Sequence, residues 1–148
     1  MTLEEMLARE EIRVLLASYS MAGDRARLNE LANLFTPNGV LNGWKRLEGR
    51  EVIIEGLAGR RTDATEGPDR APSLVRHNLT SSLVTFDSET VARGRTYFFV
   101  VTNIGPDHMG VYVDRFQKHE GNWLIAERRV QIDWVADNGH TRATQRPG

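Results

Sequence analysis

Leu74-Val75-Arg76-His77-Asn78-Leu79-Thr80-Ser81-Ser82-Leu83 is the stretch that decides the fold. Val75, His77, Leu79 and Leu83 keep one parity, while Arg76, Asn78, Thr80 and Ser82 keep the other. Side chains alternate across a strand, so this segment reads as a strand with one apolar face, and His77 points inward with that face. A buried neutral imidazole offers one donor and one acceptor, and each needs a partner. Asp24, at the end of the first helical stretch, is the candidate partner. An Asp–His pair in apolar surroundings is a general base held in one tautomer, suited to taking a proton from carbon. The plain alternative is a structural histidine bonded to backbone, with Asp24 a simple turn residue.

Downstream the strand pattern continues, with candidates at about 74–86, 89–102, 108–119 and 122–134 joined by short links, which imply antiparallel hairpins. In the last of them Arg128, Val130, Ile132 and Trp134 share one parity against Glu127, Arg129, Gln131 and Asp133. Arg128 therefore falls on the apolar side, where a charge must be paired or used. Upstream, Thr2 followed by Glu4 and Glu5 reads as a helix start, and Ile12, Leu15, Leu16 and Tyr19 recur at the spacing of a buried helix face. Gly23 is the expected stop. A second helix carries Leu28, Leu31, Ala32 and Phe35 and ends at Pro37-Asn38-Gly39. A short hairpin spans Val40 to Leu47, and a third helix runs from about Arg50 to Leu57. Residues 60–73 form a polar loop with two prolines, either a lid or surface slack.

Helices first and a long sheet after them give an α+β domain. The expected architecture is three N-terminal helices packed on a strongly curved, mostly antiparallel sheet, forming a cone with an internal pocket over residues 1–136. Residues 137–148 form a polar tail, expected to fray. Val84, Val111 and Val113 are expected on the outer face of the sheet, which would serve for pairing with copies of the chain as a homodimer or homotrimer.

With 148 residues, 40% hydrophobic and 26% charged, the chain is long enough for one continuous core. A net charge of −1 with dispersed basic residues gives no bulk attraction to nucleic acid or anionic lipid. Without cysteine there is no disulfide, thiolate metal site or thiol nucleophile. No apolar run approaches the ~20 residues of a membrane span, and the acidic start shows no secretory pattern, so the expected location is the cytoplasm. The four histidines lack ligand spacing on any one face, so no metal is expected, and His119 and His140 fall in a turn and in the tail, where solvent is the expected neighbour.

Around the His77–Asp24 pair, Tyr19 is the candidate proton donor or carbonyl polariser. Five residues separate it from Asp24, about 140° on an ideal helix, so the two share one site only if the helix ends near Gly23. Its alternative is a core tyrosine. His108 is either a second pocket histidine or a turn residue, and Arg128 either stabilises a developing anion or is salt-bridged. Trp44, Tyr97, Phe99, Tyr112 and Trp134 are expected as core or substrate-contacting pocket lining.

The order of these features resembles SnoaL-like proteins of the nuclear transport factor 2-like (cystatin-like cone) superfamily. The resemblance rests on Tyr19-x-x-x-x-Asp24, the helix from Leu28, Leu47-Glu48-Gly49-Arg50 before a helix, Arg76-His77 opening a strand, and Gly121-Asn122-Trp123. It covers roughly residues 4 to 135. The pattern is most similar to the branch of scytalone dehydratase, bile-acid 7α-dehydratase and hexachlorocyclohexane dehydrochlorinase. By that resemblance Asp24 and His77 fall on the catalytic pair, Tyr19 on the tyrosine of the bile-acid enzyme, and Arg128 on the pocket arginine of the dehydrochlorinase. Ser81 stands where many relatives carry Asn, and His108 is polar where the dehydrochlorinase lining is apolar. The resemblance implies a cofactor-independent lyase of dehydratase type, or an isomerase, acting on a small hydrophobic, cyclic molecule. The alternative is a non-catalytic binding protein or accessory subunit with the same fold.

Overall fold

A computed structural model describes residues 1–63 and 74–140. Helix α1 spans Leu3–Asp24 and starts as its sequence predicts. The Thr2 hydroxyl accepts from the Glu5 backbone N–H at 3.1 Å, and Glu5 reaches back to the Thr2 N–H. Ile12, Leu15 and Leu16 form its buried stripe. The helix passes Gly23 without stopping, and Asp24 is its last residue.

Helix α2 is a single short turn, Leu28–Ala32, and strand β1 follows at Phe35–Asn42. Phe35 and Pro37-Asn38-Gly39, expected as the end of the helix, therefore belong to a strand. Its pairing skips between Phe35 and Val40, which makes room for a residue without an N–H. Arg50 caps this irregular stretch, donating from Nε and Nη2 to the Phe35 carbonyl at 3.0 and 2.7 Å. Strand β2 (Arg46–Glu48) leads through Gly49, at φ +91°, into α3 (Arg50–Asp63). Such a backbone suits glycine, which has no Cβ to clash. Helix α3 runs beyond the expected Leu57. The remainder of the expected lid, residues 64–73, lies outside the described residues.

Strands β3 (Val75–Phe86), β4 (Val91–Thr102), β5 (Gly105–His119) and β6 (Asn122–Val135) complete one six-stranded sheet in the order β2-β1-β6-β5-β4-β3. All neighbours are antiparallel except β1 and β6, which run parallel. The sheet curves into an open, cone-like arrangement around the helices. Ile12, Leu16, Phe35, Leu41, Ile53, Phe116 and Ile125 fill the core between them.

Bulges in β3, β5 and β6 redistribute the side chains. In β3, Thr80 and Ser81 together face Tyr97, because Leu79 pairs with Phe98 and Ser82 with Thr96. The extra residue reverses parity, so Leu83 points outward at 79% exposure while Val84 and Phe86 pack on the core. The expected faces of Leu83 and Val84 are thus exchanged. In β6, Gly110 pairs with Ile132 but Met109 with Trp134, leaving Asp133 extra. In β5, Asp107 is the extra residue between Pro106 and His108. No helix among the described residues is long and apolar enough to cross a membrane.

Candidate active site

Asp24, at the C-terminus of α1, lies against the opening of β3 and grips His77 twice. One carboxylate oxygen accepts from the imidazole Nδ1 at 2.5 Å and the other from the His77 backbone N–H at 3.0 Å. The backbone bond fixes the carboxylate relative to the strand, and the ring bond then fixes the imidazole. Because an ionised carboxylate only accepts, the hydrogen sits on Nδ1, and in the neutral imidazole Nε2 is then the acceptor. That nitrogen has no hydrogen-bond partner among the described residues. The His77 side chain stays 27% exposed and Asp24 only 9%, so the ring is reachable while its partner is shielded.

From His77 the inner face continues through aromatic contacts. The His77 ring lies 6.4 Å from Phe98, Phe98 stacks on Tyr112 at 4.3 Å, and Tyr112 meets Tyr19 edge-on at 5.9 Å. Arg128 lies over the rings of both Tyr19 (4.2 Å) and Tyr112 (3.8 Å). It is fully buried and held by Asp114 through two parallel 2.8 Å bonds from Nε and Nη2. Burial by itself would lower the arginine's pKa, but the Asp114 carboxylate more than offsets this and keeps the guanidinium charged. Its Nη1 is buried with no acceptor among the described residues. Burial pushes the hydroxyl pKa of Tyr19 up, against the opposing pull of Arg128, and raises that of Tyr112 as well, so both stay protonated donors.

His108, on β5, joins from the other side. His77, Val100 and His108 lie in one cross-strand row, and the two imidazoles stand 6.5 Å apart with their planes nearly perpendicular. Trp44, in the turn between β1 and β2, is partly buried against the core and carries Arg60 at 4.5 Å over its ring.

The structure thus brings Asp24, His77, Tyr19, Tyr112, Arg128 and His108 to the helix-facing side of the sheet. Tyr97, Phe99 and Trp134 go elsewhere: they are 52%, 38% and 45% exposed on the outer face. Phe98 takes the inner position expected of its neighbours. The strand 97–101 is apolar on both parities, but Arg93 and Arg95 share the parity of Tyr97 and Phe99, and that signal marks the outer face. Trp134 follows the parity of Arg128 until the bulge at Asp133 turns it out. Asp114 is a site residue that the sequence analysis missed, although it shares the parity of Tyr112 and Phe116. Asp107 carried no such signal, because Gly105-Pro106-Asp107 reads as a turn. Among the described residues, no cluster of three or more His, Cys, Asp or Glu has the arrangement of a metal site.

Solved structures of similar shape are numerous. A candidate scytalone dehydratase from Novosphingobium aromaticivorans superposes with a TM-score of 0.81 at 24% identity, over 100% of this chain and 98% of the other. The hexachlorocyclohexane dehydrochlorinase LinA-type3 from Novosphingobium barchaimii gives 0.76 at 14% identity, over 90% and 92%. The beta subunit of a candidate aromatic-ring-hydroxylating dioxygenase from N. aromaticivorans gives 0.72 at 17%, over 89% and 93%. At these identities the likeness is one of fold. No curated protein matches the sequence. The model of the SnoaL-like domain, in contrast, matches residues 4–129, nearly the whole of the sheet and its helices, and the chain therefore belongs to the SnoaL-like domain family.

Proposed function

We propose that the protein is a lyase or isomerase that needs no cofactor and uses His77 as a general base on a small hydrophobic, cyclic molecule, with elimination of water the favoured reaction. The observation that carries this is the double grip of Asp24 on His77, which fixes the tautomer and leaves Nε2 as a lone pair on a reachable ring. A passive apolar pocket has no need of that arrangement. The dehydratase and dehydrochlorinase among the similar structures support the same class of chemistry.

In this scheme Nε2 takes a proton from carbon and the C–H electron pair becomes the new double bond. The leaving group departs with its own bonding pair, and the imidazolium passes its proton to the departing hydroxyl or, in an isomerisation, to another carbon. Asp24 stabilises the imidazolium while it exists. Tyr19, kept protonated, donates to the oxygen on which charge develops, and Arg128 behind it adds a fixed positive charge.

A carbon acid with a coloured product tests the base directly. 5-Nitrobenzisoxazole loses its ring C–H proton as its N–O bond opens, giving an absorbing phenolate. His77→Ala should slow this reaction by about 10²–10⁴-fold, Asp24→Asn by less, since the imidazole remains but loses its orientation, and Tyr19→Phe should lower the rate without disturbing the fold. If His77→Ala lowers the melting temperature and spares the rate, the histidine is structural. Equal, small effects from all three would favour the binding-protein alternative.

A further inference from the structure

A second carboxylate–imidazole system lies beside the first and is built in the same way. Asp107, whose side chain is fully buried, accepts from His108 Nδ1 at 2.8 Å, from the Thr102 hydroxyl at 3.0 Å, and from both the backbone N–H (2.9 Å) and Nδ1 (2.7 Å) of His140. His140 belongs to the segment expected to fray. It is instead folded back, with Ala136 N–H on the Asp107 carbonyl at 2.8 Å and Gly139 N–H on Ala136 at 2.9 Å. Asp107 is thus clamped by its own bulge, by the end of β4 and by the C-terminal turn. Burial would raise its pKa, but these bonds bring it down to about 2, so the carboxylate is ionised and can only accept.

That fixes the chemistry of His108. Nδ1 must carry the hydrogen. Burial lowers the pKa of the ring more than Asp107 raises it, so at neutral pH the imidazole is uncharged. Nε2, on the side of the ring away from Asp107, is therefore a bare lone pair, with no partner among the described residues. The ring is 6.2 Å from Phe98 and 6.5 Å from His77, over the same Val100. Both imidazoles keep part of their surface exposed, 27% for the His77 side chain and 17% for that of His108, so a molecule lying against the two rings meets two acceptor nitrogens.

We propose that His108, positioned by Asp107, is a second acceptor in this site that grips an O–H of the bound molecule, so that the site selects hydroxylated rings over hydrocarbon or halocarbon rings of the same shape. This rests on the proposed use of the site next to His77, but not on His77 acting as a base. A site built to receive a donor penalises ligands that lack one, because the acceptor loses its water and gains nothing.

The test uses binding alone, with phenol and toluene as probes and the histidine rings labelled with ¹⁵N. In the unliganded protein both His77 and His108 should show the Nδ1–H tautomer. Phenol should shift the His108 Nε2 resonance and toluene should not. The ratio of phenol to toluene affinity should fall roughly five- to tenfold in His108→Phe, the worth of one hydrogen bond. Asp107→Asn presents an amide N–H₂ to Nδ1 and should move the ring to the Nε2–H tautomer. An Nε2–H tautomer in the wild type, or an unchanged affinity ratio in His108→Phe, overturns the proposal. A His77→Ala variant that keeps its rate while this discrimination persists would instead overturn only the base.

Discussion

Replacing Asp114 by asparagine isolates the one fully buried ion pair among the described residues. Both partners are completely inaccessible and meet through two 2.8 Å bonds, an orientation in which the planar guanidinium matches the carboxylate fork. The asparagine keeps the shape but removes the charge, and its N–H₂ faces an arginine N–H, donor against donor. Arg128 stays charged, because shedding its proton is harder still, and it is left in the interior with one amide oxygen and the faces of Tyr19 and Tyr112. Breaking a buried pair from one side costs about 3–5 kcal/mol. For a domain of this size that is a fall in Tm of about 6–20 °C. The assay is urea unfolding followed by far-UV circular dichroism, read as a lower midpoint at unchanged slope. The double variant Asp114→Leu/Arg128→Met removes both charges and should recover most of the loss. A single variant that loses less than about 1 kcal/mol, or a double variant no better than the single, would show that the charges do not stabilise each other as the geometry implies.

Asp107 gives an acid limit. Its folded pKa of about 2 lies below the ordinary 3.8, so the stability it contributes is present above pH 4 and is lost as pH falls towards 2. The contribution is at most about 2.5 kcal/mol, at about 1.4 kcal/mol per pH unit of difference, and about half should be gone at pH 3. The stability gap between wild type and Asp107→Asn in urea should shrink accordingly, and a gap unchanged from pH 6 to pH 3 contradicts it. On the outer face, Phe99, Met109 and Trp134 form an exposed row across three strands with Tyr97 beside them. Light scattering at micromolar concentration should give two or three times the 16.7 kDa chain mass, and a value near 16.7 kDa itself rules out the homodimer and homotrimer alike.

What the sequence made legible was periodic and local. The capping box at Thr2, the stripe on α1 and the inward parity of His77 all follow from neighbours a few residues away. The acid at the end of α1 was only a candidate partner by position, and its match to His77 came from the resemblance to SnoaL-like proteins. The bulges were invisible, since an inserted residue at Ser81 or Asp133 changes no local preference and yet moves Leu83, Val84 and Trp134 to opposite faces. Phe35 kept a helical spacing after Leu28 and Leu31, and only the pairing of β1 with a strand more than 80 residues away turned it into sheet. Asp107 and His140 were hidden for the same reason: one looked like a turn residue and the other like part of a solvated tail, and the contact between them is 33 positions long.

The parallel pairing of β1 with β6 also governs how the chain is made. β1 ends at Asn42 and β6 begins at Asn122, so some 80 residues must be translated before the strand at the middle of the sheet exists. At about 5–20 residues per second the ribosome takes roughly 4–16 s over that interval. Throughout it Phe35 and Leu41, both destined for the deepest core, lack the strand that pairs with β1 on that side, although β3, β4 and β5 are made in the meantime. Nascent chains arrested before β6 emerges therefore carry an open, apolar strand edge, which makes them natural clients for chaperones, and the last strand synthesised is the one that seals the first.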